Sequence, residues 1–210
     1  MLHLSIPSRL LDVGVASTAL TGHRESGDLH LVRPVDGGDS VLVAVVDGLG
    51  HGQEAAVAAR IAIDTLDRYD AATVPHLVQH CHEALIGTRG VVMSVAQFDA
   101  ARDTMTWVGV GNVAGVLAAG DREGRTSFTA LVTRAGIVGS PSDDLPARPW
   151  VIPIQPHDIL VLATDGLRAD FVDDIVASQD PQTTATRLLQ RHGKGNDDAL
   201  VLIARYLGRR

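Results

Sequence analysis

The chain has almost no sulfur chemistry. A single cysteine, Cys81, stands in 210 residues, which excludes an intramolecular disulfide and suits a reducing compartment. Aromatics are scarce as well, at three Phe, two Trp and two Tyr. Base-stacking platforms for single-stranded nucleic acid are therefore not expected, and the core must be built from Val, Leu, Ile and Ala. There is no run of Lys and Arg. With 18 basic against 25 acidic residues the formal net charge is −7, the wrong sign for a general binder of phosphate backbones. No stretch approaches the roughly 18 consecutive apolar residues of a membrane span. Met1-Leu2-His3-Leu4-Ser5-Ile6-Pro7 lacks the basic and apolar regions of a secretory signal. These absences point to a cytoplasmic protein with neither nucleic acid nor membrane as partner. No repeat, low-complexity block or linker divides the chain, so residues 1–210 read as one domain. Hydrophobic residues make up 45%, enough for a real core.

Hydrophobic periodicity supplies the elements. Leu11, Val13 and Val15 alternate as in a half-buried strand, and Leu29 to Arg33 predicts a second, ended by Pro34 and Gly37-Gly38. Val41-Leu42-Val43-Ala44-Val45-Val46 is a continuous apolar run of strand length, as expected of a strand buried on both faces. An Ala-rich helix is predicted over Gln53 to Arg68 and an amphipathic one over Val74 to Ile86, through Leu77, Val78, Cys81 and Leu85. Gly90 to Phe98, Thr104 to Val110, Val113 to Ala118 and Ser127 to Val132 then predict an antiparallel meander rather than βαβ units. Ile159 to Ala163 and Ala199 to Tyr206 read as strands, and Val172 to Ala177 and Thr183 to Arg191 as helices.

Four acidic sites share one local design. Asp28 follows Gly27; Asp47 ends the Val41–Val46 run and precedes Gly48; Asp165 follows the Ile159–Ala163 run and precedes Gly166; Asp197-Asp198 lies two residues after Gly195 and leads into the last strand. An acid beside a glycine at a strand end puts a carboxylate on the rim of a sheet, where backbone can approach a ligand. One such acid is an ordinary solvated turn. Carboxylates gathered at one rim would repel each other without a cation. Oxygen ligands without Cys select Mg²⁺ or Mn²⁺ over zinc. Two such ions about 3.5–4 Å apart can bind a phosphate ester and activate a water for attack on phosphorus.

Gly48-x-Gly50-x-Gly52 between a strand and a helix also invites a dinucleotide-binding reading. Position 53 is Gln where the third glycine would fall, Asp47 would face the pyrophosphate, and alternating βα units are missing downstream. A nucleotide-binding protein is therefore the weaker alternative.

Glu25-Ser26-Gly27-Asp28, Asp47-Gly48-Leu49-Gly50-His51-Gly52, Thr164-Asp165-Gly166-Leu167 and Gly195-Asn196-Asp197-Asp198 occur in an order and spacing that resemble the metal-dependent protein phosphatases of the 2C type (PPM). The resemblance is closest to the small bacterial branch of SpoIIE-type and RsbX-like enzymes. Gly87-Thr88-Arg89-Gly90 and Gly109-Val110-Gly111-Asn112-Val113-Ala114 also look like that branch, and the similarity runs over about residues 10 to 206. The resemblance implies an α+β fold, a four-layer α-β-β-α sandwich whose two antiparallel sheets are flanked by helix pairs. It also implies hydrolysis of phosphoserine or phosphothreonine on a protein, with two Mn²⁺ or Mg²⁺ as cofactors. The implied substrate is a phosphorylated STAS-domain protein of a stressosome or sigma-factor circuit, and a monomer is expected. By motif position Asp47 resembles the acid bridging both ions and the Gly48 carbonyl a ligand of the first. Asp165 and Asp197 resemble ligands of the second, and Asp28 the acid holding waters of the first. Asp47 and Asp165 carry catalysis in this reading, with His51 as candidate proton donor to the leaving oxygen.

There are departures. Leu200 stands where many relatives have Thr, and Asn112 where many have an Asp linked to a third metal. Asp198 stands where relatives have Asn or Asp. The usual phosphate-gripping Arg has no aligned equivalent, Arg24 being only a nearby turn residue. His76 and His80 have zinc-ligand spacing but lie off the apolar stripe, and Cys81 lies on it as a core residue. Asp173-Asp174 is expected to decorate a solvated helix. A non-catalytic phosphoprotein-binding module of the same fold is the alternative function.

Overall fold

A computed structural model describes residues 9–22, 25–69, 73–120, 126–141 and 148–209. The first sheet has the order β2-β3-β4-β5-β8, from Asp28–Val35, Ser40–Gly48, Val91–Asp99, Thr104–Val110 and Trp150–Pro153. The second has the order β1-β10-β9-β6-β7, from Leu11–Thr18, Ala199–Tyr206, Ile159–Ala163, Ala114–Gly120 and Thr126–Leu131. Every pairing is antiparallel. Helices α1 (Gln53–Arg68) and α2 (Val74–Leu85) cover the first sheet; α3 (Pro181–His192) and a 3-10 helix, Ala169–Asp174, cover the second. This is the four-layer α-β-β-α sandwich.

The apolar run of β3 is buried on both faces because it has a layer on each side. Val41, Val43 and Val45 meet Leu160, Leu162, Leu200 and Leu202 of the opposing sheet, while Leu42, Ala44 and Val46 meet Ala58, Ala59, Ala62 and Leu66 of α1. With few aromatics available, Trp107, Tyr206 and Phe98, all fully buried, supply the bulk between the sheets. Val161, Val201 and Ile203 turn outward onto Ala185 and Leu188 of α3. Among the described residues no helix is long and apolar enough to cross a membrane.

Two expectations change. The predicted meander divides between the sheets: β4 and β5 stay beside β3, whereas β6 and β7 pair beside β9. The chain crosses at Gly111, whose φ of +87° turns the backbone out of the strand. The helix predicted over Val172 to Ala177 is the 3-10 helix, extended again at Ile175. β-branched Val172 and Ile175 and the paired Asp173-Asp174 are poor helix formers, and Asp174 finds its partners in His192 and Arg191. The short edge strand β8 was not expected.

Candidate active site

Both sheets end at one cleft of about 530 Å³, lined by Asp47, Asp165, Asp197, His51, Asn112 and Gly136 among others. Asp28 and Asp47 are direct cross-strand partners on β2 and β3, so the register of one hairpin sets them side by side. Asp28 lies behind the cleft wall at 4% exposure. Thr164 at the end of β9 joins the two sheets there: its hydroxyl donates to Asp28 Oδ2 at 2.7 Å and accepts the Leu200 N–H at 2.9 Å. Gly48 is buried with its N–H on the Gly27 carbonyl at 3.0 Å. A Cβ on Gly48 would lie 2.2 Å from the Ala55 carbonyl, so only glycine lets the first turn of α1 rest there.

The acids crowd one another. Burial, followed by the charges of Asp28, Asp165, Asp197 and Asp198, pushes the Asp47 carboxyl up to about 8. Burial also pushes Asp28 up to about 7, with Asp198, Asp165 and Asp197 adding to it and the Thr164 hydrogen bond opposing it. Asp165 is exposed, and one of its oxygens, Oδ2, accepts the Asn112 amide at 2.9 Å. Lys194 Nζ donates to the Asp165 backbone carbonyl at 2.5 Å. Asp197 lines the cleft, and its Oδ1 accepts the Asp198 N–H at 2.9 Å. Asp198 turns the other way: its two oxygens accept the Leu20 and Gly27 N–H groups at 2.7 Å each, pinning the β1–β2 connection.

Hard divalent cations fit this donor set. Carboxylates from both sheets converge on one cleft with their repulsion unrelieved, and no sulfur faces it. Among the described residues no three His, Cys, Asp or Glu side chains already close around one point. An open set of this kind suits Mg²⁺, which keeps waters and takes only one or two carboxylates.

Of the residues singled out from sequence, Asp47, Asp165, Asp197 and His51 share the cleft, while Asp28 and Gly48 lie behind it. Arg24 falls outside the described residues. Leu200 is buried between the sheets. Cys81 is buried, its thiol pushed up to about 12 by burial, and is core. His76 and His80 face Thr73 and Tyr69 rather than a shared point. Lys194 has no part in the sequence reading, Arg89 enters it only within the Gly87-Thr88-Arg89-Gly90 motif, and Asn112 stands where many relatives have an Asp linked to a third metal. The Arg89 guanidinium lies over the glycine loop, with Nη1 2.7 Å from where a Cβ on Gly50 would be, and Nε pairs with Glu54 at 2.5 Å. The motif marks Arg89 as part of a glycine-flanked turn, and only the fold brings its guanidinium over Gly50.

The family model described as Stage II sporulation protein E (SpoIIE) matches residues 37–207. Phosphoserine phosphatase RsbX of Bacillus subtilis (strain 168) is 28% identical over 115 residues, covering 55% of this chain and 55% of that protein. The chain thus matches about half the length of that curated relative. A structure solved in connection with the bacterial stressosome, "a modular system that has been adapted to control secondary messenger signaling", is 26% identical, with a TM-score of 0.79 over 93% of this chain and 99% of that one. RsbX in complex with magnesium has a TM-score of 0.81 at 19% identity, over 96% of this chain and 98% of that one. The phosphatase domain of SpoIIE from Bacillus subtilis has a TM-score of 0.76 at 17% identity, over 95% and 64%. At these two lower identities the likeness is one of fold.

Proposed function

The chain belongs to the SpoIIE family of 2C-type phosphatases, and from that premise we propose that it is a Mn²⁺/Mg²⁺-dependent protein serine/threonine phosphatase of the cytoplasm, a monomeric single domain over residues 1–210. The observation that carries the reading is the cleft itself: Asp47, Asp165 and Asp197 face it from two sheets, with buried Asp28 behind them and their charge unbalanced. When bound, divalent cations supply the positive charge that accepts a phosphate ester and the Lewis acidity that activates water.

The chain's own groups do the rest. Asp47 would hold the cations, with Asp28 behind it. Burial and the neighbouring acids favour the protonated form of both carboxyls, and beside a bound divalent charge the ionised form would be favoured. Asn112 orients the Asp165 carboxylate, and Lys194 fixes the backbone from which it projects. Arg89 stands at the glycine loop as a cation for the substrate phosphate. His51 lines the cleft within reach of a role as proton donor to the leaving Ser or Thr oxygen. A relative named as a phosphoserine phosphatase and a structure tied to the stressosome support a phosphoprotein of such a circuit as substrate, and the motif resemblance makes it a phosphorylated STAS-domain protein.

The test is phosphate release from a phosphorylated STAS-domain protein with manganese and with excess chelator. Release that needs manganese is expected. Equal release in chelator would overturn metal dependence; stable binding of the phosphoprotein without release would point to a non-catalytic module.

A further inference from the structure

The segment after Asp165 and the segment before Asp197 run side by side as a short ribbon. Leu167 and Gly193 form an antiparallel bridge. The Arg168 N–H donates to the His192 carbonyl, and the Lys194 N–H to the Gly166 carbonyl, each at 2.9 Å. Gly166 allows the closest approach, since a Cβ there would lie 1.9 Å from the Asp198 carbonyl. Asp165 and Asp197 stand at the cleft end of this ribbon.

The far end is closed by His192, the last residue of α3, at 5% exposure. Its Nε2 meets Asp174 Oδ2 at 2.9 Å and its Nδ1 meets Asp170 Oδ1 at 3.1 Å. Both acids belong to the 3-10 helix that continues from the ribbon's first strand. Arg168 Nη2 lies 3.4 Å from Nδ1, and Arg168 and Arg191 pair with Asp170 and Asp174 at 3.4 and 3.1 Å. The His192 hydrogen bonds hold both Asp carboxyls below the usual carboxylate range. Seating α3 on its sheet does not require this arrangement, because Ala185 and Leu188 already do that through apolar contact. What the polar cluster adds is a second hold on two loops that otherwise meet through backbone hydrogen bonds, the Lys194 Nζ contact to the Asp165 carbonyl and the Arg168 contact to the Arg191 carbonyl.

We propose that His192, gripped by Asp170 and Asp174, is a positioning residue: a clasp that fixes Asp165 relative to Asp197 and so sets the divalent-cation affinity of that half of the cleft. The inference rests on the metal-dependent reading above and is directed at binding rather than turnover.

The experiment is calorimetric titration of the full chain with Mn²⁺, for the wild type, His192→Gln, Asp170→Asn and Asp165→Asn. Asp165→Asn identifies which binding event belongs to the ribbon half. His192→Gln is expected to weaken that event about threefold and to leave the other event within about twofold of wild type. The loss is smaller than the roughly tenfold or more that follows loss of a direct hydrogen-bond partner of a metal ligand, because His192 bonds Asp170 and Asp174 rather than Asp165 or Asp197. Asp170→Asn changes an exposed carboxylate, keeps the fold, and should weaken the same event in the same direction. Unchanged affinity of both events in His192→Gln and Asp170→Asn would overturn the clasp, as would equal weakening of both events. A wild type that binds no Mn²⁺ would overturn it together with the metal-dependent reading. A wild type that binds Mn²⁺ and shows the selective loss, yet releases no phosphate from a phosphoprotein, would leave the clasp standing and remove the activity.

Discussion

Asp28 and Asp47 sit on neighbouring strands, are cross-strand partners, and are backed by two helices that pack through Ala, Leu and Val. Asp165 and Asp197 sit on loops just beyond β9 and before β10, the first exposed and the second half-exposed, and polar contacts hold their surroundings in place. The first pair is placed by sheet register and cannot drift, at the expense of burying two acids that crowd each other. The second pair avoids most of that desolvation but depends on an amide, a lysine and the ribbon behind it. One cleft thus joins a rigid, electrostatically strained half to an unstrained half that hydrogen bonds must hold.

The largest expected effect separates the halves by sign. Asp47→Asn should reduce phosphate release at least about a thousandfold, since charge stabilisation by the cations is worth several kcal/mol. It should also raise the melting temperature of the metal-free protein at pH 8 to 9, because a buried, repelled carboxylate has been removed. Asp165→Asn should lose activity comparably without that gain, its side chain being exposed. Equal melting shifts in both variants would erase the distinction between the halves.

The packing behind each half is the next place to test it. Leu66→Ala opens a cavity under α1 and should cost about 2–5 kcal/mol in denaturant unfolding. On the other side Arg205, largely buried, donates to the carbonyls of Ala177 and Gln179 and to Asp12 at 3.3 Å. Arg205→Met should cost about 1–3 kcal/mol, mostly from carbonyls left without a donor. A larger loss at Arg205 than at Leu66 would invert the assignment of apolar and polar support.

A pH series sharpens the electrostatic side. Asp28 and Asp47 hold their protons more tightly in the folded chain, at about 7 and about 8, than at the ordinary value of 3.8. Protonation therefore favours folding. The contribution is complete below about pH 4 and is lost as pH rises through 7 and 8. The metal-free melting temperature should fall from about pH 4 to about pH 8 and level off above that, and saturating Mn²⁺ should flatten the fall. A flat metal-free profile would mean that the acids are not crowded.

Much of this architecture was legible in the residues. The run Val41–Val46 could only be a strand with apolar layers on both sides, and an Asp-Gly pair after each of two apolar runs marked the rim. Helix bounds were readable where periodicity was strong, as for Gln53 to Arg68. What escaped depends on contacts distant in sequence. Strands β6 and β7 leave the first sheet because Gly111 turns the chain and β9, far downstream, is waiting to pair. The segment after Asp165 is short and 3-10 because His192, Arg191 and Arg187 take its acids and a carbonyl, partners no local pattern reveals. Asp198 belongs to the acid cluster by charge, adding to the rise at Asp28, yet its oxygens cap two backbone amides from the β1–β2 connection. Its carboxylate chemistry was visible; its direction was not.

Arg89 gives the smallest effect and the finest test. Its pair with Glu54 at 2.5 Å joins two exposed side chains, and such pairs contribute only about 0–1 kcal/mol. Arg89→Ala should accordingly leave the melting temperature nearly unchanged. The same exposure lets the guanidinium exchange Glu54 for an incoming phosphate, because a dianionic ester offers a stronger bidentate partner than one carboxylate. Arg89→Ala should therefore raise KM for a phosphoprotein several-fold with a smaller change in kcat, and Arg89→Lys should restore part of it by charge alone. Glu54→Gln, which frees the guanidinium, should move KM the opposite way. If Arg89→Ala lowers kcat and leaves KM untouched, the arginine acts through the glycine loop that carries Asp47 rather than on the substrate. The strained half of the cleft would then depend on a surface contact after all.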